Sequence, residues 1–116
     1  MGKFVEVTQI DDLEDGTMKA VNTAEREILL ARLGDNYYAA DNRCPHMSAR
    51  LSQGKLDGTI VTCPRHGSQF DLSDGRVVRW TDWPGWISAV GKIVKAPKPI
   101  STYKVKIEGD KILVEI

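Results

Sequence analysis

Residues Cys44 to Asp71 read CPHMSARLSQGKLDGTIVTCPRHGSQFD, and this stretch holds both cysteines and both histidines of the chain. Cys44 and His46 stand one residue apart in CPH, Cys63 and His66 two apart in CPRH, with sixteen residues between His46 and Cys63. Each of the two short motifs pairs a thiol with an imidazole and follows the cysteine with a proline, Pro45 or Pro64.

Folding the two motifs against each other makes a pocket of two sulfurs and two nitrogens, a donor set that suits iron–sulfur or zinc. Zinc modules more often keep two cysteines together within one loop, so the mixed pairs favour iron–sulfur modestly. Proline fixes one backbone angle and removes one N–H, and Gly67 lets the chain turn closely after His66. Such loops can aim their remaining N–H groups at sulfur. The bland reading is a pair of ordinary turns with buried core cysteines, and the paired spacing outweighs it. A Cys–His nucleophile would use only half of the constellation. No phosphate-cradling glycine loop or serine hydrolase motif is present, and Asp57, Asp71 and Asp74 read as turn residues.

Around this stretch the composition is that of an ordinary globular chain. Its 116 residues amount to one domain, 1–116, able to bury roughly two-thirds of its unfolded surface. Hydrophobic residues make up 41% and charged ones 28%, against wholesale disorder. No apolar run approaches the ~20 residues of a membrane helix, and MGKFVEVTQIDDLED lacks a secretion signal's apolar centre. A cytoplasmic protein without membrane attachment is therefore expected. In that reducing compartment two cysteines read as metal ligands or reactive thiols before they read as a disulfide. Sixteen basic and sixteen acidic residues give no net charge, hence no reason to expect nucleic acid. DDLED near the front and KIVKAPKP near the back read as solvated surface, or else as steering for a protein partner.

Short β-type runs separated by turns predict an all-β fold of eight to ten strands. KFVEV alternates, REILLARL and NYYAADN flank Gly34-Asp35, TIVTC runs into the second motif, and RVVRW follows SDG. TYKVKIEGDKILVEI reads as two strands around Gly109-Asp110. One segment differs: in TDWPGWISAVGKIVKAPKP, Trp83, Ile87, Val90 and Val94 fall at helical spacing, which predicts a short helix near 83–94. Gly85 and Gly91 count against it.

With its C-x-H, sixteen-residue gap and C-x-x-H, the chain resembles the Rieske family. The resemblance extends through DNYYAADNR and DLSDGRVV, over most of residues 3 to 80 and, more loosely, the closing strand pair. It implies a β-sandwich base, about 1–42 and 72–116, carrying a small inserted cluster-binding subdomain at about 43–71. By the same resemblance Cys44 and Cys63 bind one iron, and His46 and His66 the other, in one [2Fe–2S] cluster per chain. Neutral imidazoles leave the oxidised site uncharged, which eases reduction and gives the family range of roughly −150 to +300 mV.

Other positions place this chain within that range. Quinol-oxidising relatives carry an extra cysteine in each loop and join the two, where this sequence has Ala49 and Arg65. They also direct a serine and a tyrosine hydroxyl at sulfur; Ser68 matches the serine, while Phe70 has no hydroxyl to donate. The expected potential lies in the lower half of the range. Pro64, Gly67 and Ser68 form the surroundings of the second loop; Met47 covers the cluster or simply packs; Ser48 stands where relatives often have glycine.

A ring-hydroxylating oxygenase needs a further iron site, and no histidine remains for one. The resemblance therefore implies an electron carrier and not an enzyme, taking electrons from a flavin-dependent reductase and passing them to a terminal oxygenase or another redox enzyme. His46 and His66 would mark the docking tip, with Arg43, Arg50 and Arg65 as a basic rim. Two alternatives stay open: the small Rieske subunit of a reductase such as nitrite reductase, and a zinc-stabilised interaction module. The segment from Trp80 to Ile100 is longer than in typical relatives, and Trp80, Trp83 and Trp86 either cover the core or form a docking patch.

Overall fold

The structure is a computed structural model, and it describes residues 3–23, 26–44, 49–64, 67–79 and 99–116. The expected helix at 83–94 and all three tryptophans lie outside the described residues.

Among these residues the chain is all-β, with every pairing antiparallel. The terminal sheet has the order β1-β11-β10, formed by β1 (Phe4–Gln9), β11 (Lys111–Glu115) and β10 (Val105–Glu108). The central sheet has the order β2-β3-β4-β9, from β2 (Met18–Asn22), β3 (Glu27–Leu33), β4 (Asn36–Asp41) and β9 (Thr102–Tyr103). A third sheet runs β5-β6-β7-β8, from β5 (Lys55–Asp57), β6 (Ile60–Thr62), β7 (Gln69–Asp71) and β8 (Val77–Arg79). These eleven strands exceed the expected eight to ten, because β2 (MKAVN) does not alternate cleanly and several two- or three-residue strands carry too few residues for alternation to show.

The central sheet is covered on both sides, and β3 shows why. Strand side chains alternate between faces, yet EILLARL is apolar almost throughout. Ile28 and Leu30 join Ala39, Ile112 and Val114 in a core against the terminal sheet. Leu29 and Ala31 join Ala40, Val61, Phe70 and Leu72 in a second core against the third sheet. A near-continuous apolar run is the pattern of a strand buried on both faces.

Two-residue loops connect the long hairpins. Leu33 faces Asn36 across Gly34-Asp35, and Glu108 faces Lys111 across Gly109-Asp110. Each loop opens with a glycine at positive φ, +60° and +63°, as a primed hairpin turn requires. Asp71 takes the turn role read from the sequence: its carboxylate accepts from the Ser73 amide at 2.9 Å and hydroxyl at 2.6 Å. It is also buried and paired with Arg76 at 3.1 Å.

Candidate metal centre

Both sequence motifs sit on loops that the backbone closes in the same way. β4 leads through Asn42 and Arg43 into Cys44, Arg43 pairs with Arg50 in an isolated antiparallel bridge, and the Cys44 N–H donates to the Ala49 carbonyl at 2.8 Å. β6 leads into Cys63, Thr62 pairs with Gln69, and the Cys63 N–H donates to the Ser68 carbonyl at 2.7 Å. In each loop, then, the cysteine amide bonds the carbonyl five residues on, just inside a cross-strand pair. The two cysteines occupy equivalent places in two six-residue loops.

Neither cysteine is in a disulfide and both are buried, 1% exposed at Cys44 and 3% at Cys63, and both belong to the core that contains Leu51, Val61 and Phe70. His46, His66 and Met47 lie outside the described residues, as do Pro45, Ser48 and Arg65. Of the other positions singled out near the second motif, Pro64 is exposed, Ser68 is fully buried, and Gly67 has φ +72°. That dihedral lies in the left-handed region, open to glycine at little cost. Phe70 is fully buried and belongs to the same core as the two cysteines.

Two supports of these loops are not evident in the sequence. Asn42, fully buried, donates through Nδ2 to Glu27 Oε1 at 2.8 Å and to Ser52 Oγ at 3.0 Å, while its Oδ1 accepts from the Ser52 amide at 2.8 Å. Its backbone carbonyl accepts from Leu51 at 2.7 Å. One side chain thus ties the entry of the first loop to the 3-10 turn Leu51–Gln53 at its exit. Glu27 in turn pairs with Arg50 at 3.4 Å. At the second loop, the Arg79 guanidinium donates twice to the Gly67 carbonyl, at 3.1 Å from Nε and 2.9 Å from Nη2. An open cleft of about 390 Å³ lies beside this loop, lined among others by Lys55, Cys63, Pro64, Gly67 and Arg79.

The chain matches the Rieske [2Fe-2S] domain family over residues 3–104. It is 31% identical over 116 residues to the ferredoxin component of the naphthalene 1,2-dioxygenase system of Pseudomonas putida, covering 98% of this chain and 96% of that one. Among solved structures it resembles the Sphingomonas yanoikuyae B1 ferredoxin, with a TM-score of 0.80 and 26% identity over 98% of this chain and 99% of that one. It also resembles a chain in a complex of reduced oxygenase and oxidized ferredoxin of carbazole 1,9a-dioxygenase, with a TM-score of 0.76 and 26% identity, covering 96% of this chain and 91% of that one.

The chain belongs to the Rieske [2Fe-2S] family. Within it, the chain is a ferredoxin-type electron carrier and not itself a catalytic enzyme. A Rieske domain implies a [2Fe–2S] cluster, and the described residues fit one. Two buried cysteines outside any disulfide, held alike by their own loop amides and shielded from water, are the donors a cluster iron takes as thiolates.

Proposed function

We propose that this chain carries single electrons from a flavin-dependent reductase to a terminal oxygenase, through one [2Fe–2S] cluster held at one iron by Cys44 and Cys63 and at the other by His46 and His66. The observation that carries this reading is the matched closure of the two loops, which sets both buried thiols in one core. The names of the similar proteins, ferredoxin components of oxygenase systems, support the choice of partner. Residues 1–116 act as one domain, with about 43–71 holding the cluster and the rest as its base. We place it in the cytoplasm, where thiols stay reduced until a metal takes them.

When bound, the cluster takes up and gives back one electron. The protein's part is to hold donors and dipoles still, so that little rearranges when the charge changes. Asn42 pins the two ends of the first loop, and Arg79 fastens the second at Gly67. The apolar core around Cys44 and Cys63 excludes water from the sulfur end. No group of the chain is asked to make or break a bond in the acceptor's substrate.

Purified protein assayed for iron and acid-labile sulfide, with visible and electron paramagnetic resonance spectra on the same sample, tests the reading. Two irons and two sulfides per chain, with a red-brown colour that bleaches on reduction, are expected. Colourless zinc protein would overturn it. Permanent co-purification with a large reductase chain would replace the mobile carrier by a fixed subunit.

A further inference from the structure

Although the chain has no net charge, its charges are not evenly placed. Residues 43–79 hold six of the sixteen basic side chains and three of the sixteen acidic ones, whereas residues 1–42 hold four basic and nine acidic. The loop-bearing stretch is therefore positive and the leading stretch strongly negative.

Ion pairs inside the molecule engage two of the three acidic residues of the positive stretch, which share one arginine. Asp71 and Asp74 both pair with Arg76, at 3.1 Å and 3.3 Å. Asp57 shares a strand face with Lys55 two residues away but does not line the cleft. Among the described residues, Arg43, Lys55 and Arg79 are exposed and engage no carboxylate. Lys55 and Arg79 both line the cleft beside Cys63 and Gly67, and the two bonds from Arg79 to Gly67 leave its Nη1 donors directed elsewhere.

We infer that this cleft is a docking surface for an acidic redox partner: a protein face that presents carboxylates to Lys55 and Arg79. The inference rests on the carrier reading above and adds the chemistry of the partner's surface. Charges of one sign gathered at a cleft raise the local concentration of the opposite sign and the rate of encounter. Exposed pairs of this kind contribute more to steering and orientation than to affinity, which suits a carrier that must leave after each electron. Docking there brings the partner next to Cys63, a buried residue that lines the cleft.

The test needs no natural partner. Reduced, cluster-loaded full-length protein is mixed with hexacyanoferrate(III), an anion, or with tris(phenanthroline)cobalt(III), a cation; in each case one electron leaves the protein and the oxidant's metal drops from the trivalent to the divalent state. The anion reaction is expected to slow as salt is raised from about 10 mM to 500 mM while the cation reaction quickens, because the Debye length shrinks from ~30 Å to a few Å. Lys55→Glu is expected to slow the anion reaction at low salt by about threefold to tenfold, with Lys55→Gln between it and the parent. Asp35→Lys, in the hairpin at the far end of β4, is expected to shift the ratio of the two rates less than Lys55→Glu does, and in the opposite direction. Equal salt responses for the two oxidants, or an anion rate indifferent to residue 55, would overturn the docking surface. Iron and sulfide measured on each sample keep the two readings apart. Preparations without a cluster refute the carrier, whereas loaded protein with no anion preference refutes only the cleft.

Discussion

Gly54 packs so closely on the second loop's strand that a Cβ built on it would stand 1.8 Å from the carbonyl oxygen of Thr62 and 3.2 Å from Cδ of Pro64. Gly54 ends the 3-10 turn after the first loop, and Thr62 precedes Cys63. Here the two loops' supports meet backbone to backbone. Gly54→Ala is expected to force them apart, because a carbonyl cannot swing aside as a side-chain tip can. Overpacking of this kind costs about 1–3 kcal/mol. Thermal unfolding and iron content per chain are expected to fall together, and an alanine variant with full iron and unchanged melting would refute the contact's role.

Asn42 makes a sharper test, since two variants are expected to fail differently. Asn42→Ala leaves the Ser52 amide without its acceptor, and an unsatisfied buried group costs about 1–3 kcal/mol. Asn42→Asp restores that acceptor but sets a carboxylate against Glu27, whose Oε1 now accepts from Nδ2. Asn42→Asp is therefore expected to be the worse of the two at pH 7. Adding Glu27→Gln is expected to recover part of its stability in chemical denaturation. Equal losses for both single variants would deny the network its polarity.

Asn42 and Arg79 mark how far the sequence could be read. Four chemistry-bearing residues at two distinctive spacings announced the centre, and turn glycines flanked by apolar runs announced the hairpins of β3–β4 and β10–β11. Asn42 and Arg79 carried no such signal, because an asparagine after a strand reads as a turn residue and an arginine in RVVRW as a solvent-facing one. Their roles depend on partners fifteen and twelve residues away, which no local pattern encodes. β2 and β7 escaped for a related reason: their pairing is decided by neighbours across the sheet and not by their own alternation.

Asp71 is expected to make part of the fold's stability depend on acid. The Ser73 hydroxyl, then the Ser73 amide, hold its carboxyl below the ordinary range, helped by the Thr59 hydroxyl and the Arg76 guanidinium against the opposing effect of burial. A carboxyl lowered in the folded state stabilises fully above its unfolded pKa of about 3.9, and the contribution fades as pH falls through the lower folded value. Asp71→Asn is expected to be less stable than the parent by about 1.5–3 kcal/mol at pH 7, the range for hydrogen bonds to a charged group. The gap is expected to narrow below pH 4. A gap constant from pH 7 to pH 3 would show that the charge is not what Asp71 contributes.

Phe70 bears on the potential. It is fully buried in the core that contains both cysteines, and it has no hydroxyl to direct at sulfur. Phe70→Tyr offers such a donor, which stabilises the more negative reduced state. The variant is expected to have a higher midpoint than the parent, and the parent to lie in the lower half of the family's range of roughly −150 to +300 mV. Protein-film voltammetry on both measures this. A parent midpoint near the top of the range, or a tyrosine variant with a lower one, would contradict it.

Arg79 separates geometry from charge. Its two bonds fix the Gly67 carbonyl, and because the peptide is trans the Ser68 N–H must point away from Arg79. A loop held this way presents its amides in one orientation, and a loosened one does not. Arg79→Lys keeps the positive charge of the cleft but replaces a planar fork by a point donor. The lysine variant is expected to keep the parent's preference for anionic oxidants while losing its cluster faster, on the order of threefold to tenfold for one weakened charge-assisted bond. Its electron paramagnetic resonance lines are expected to broaden as the second loop samples more than one arrangement. Arg79→Met is expected to show the same faster loss and, in addition, a weaker preference for anions. If lysine and methionine variants release iron at the parent's rate, Arg79 serves the cleft alone and the loop is held by its own hydrogen bond from Cys63 to Ser68.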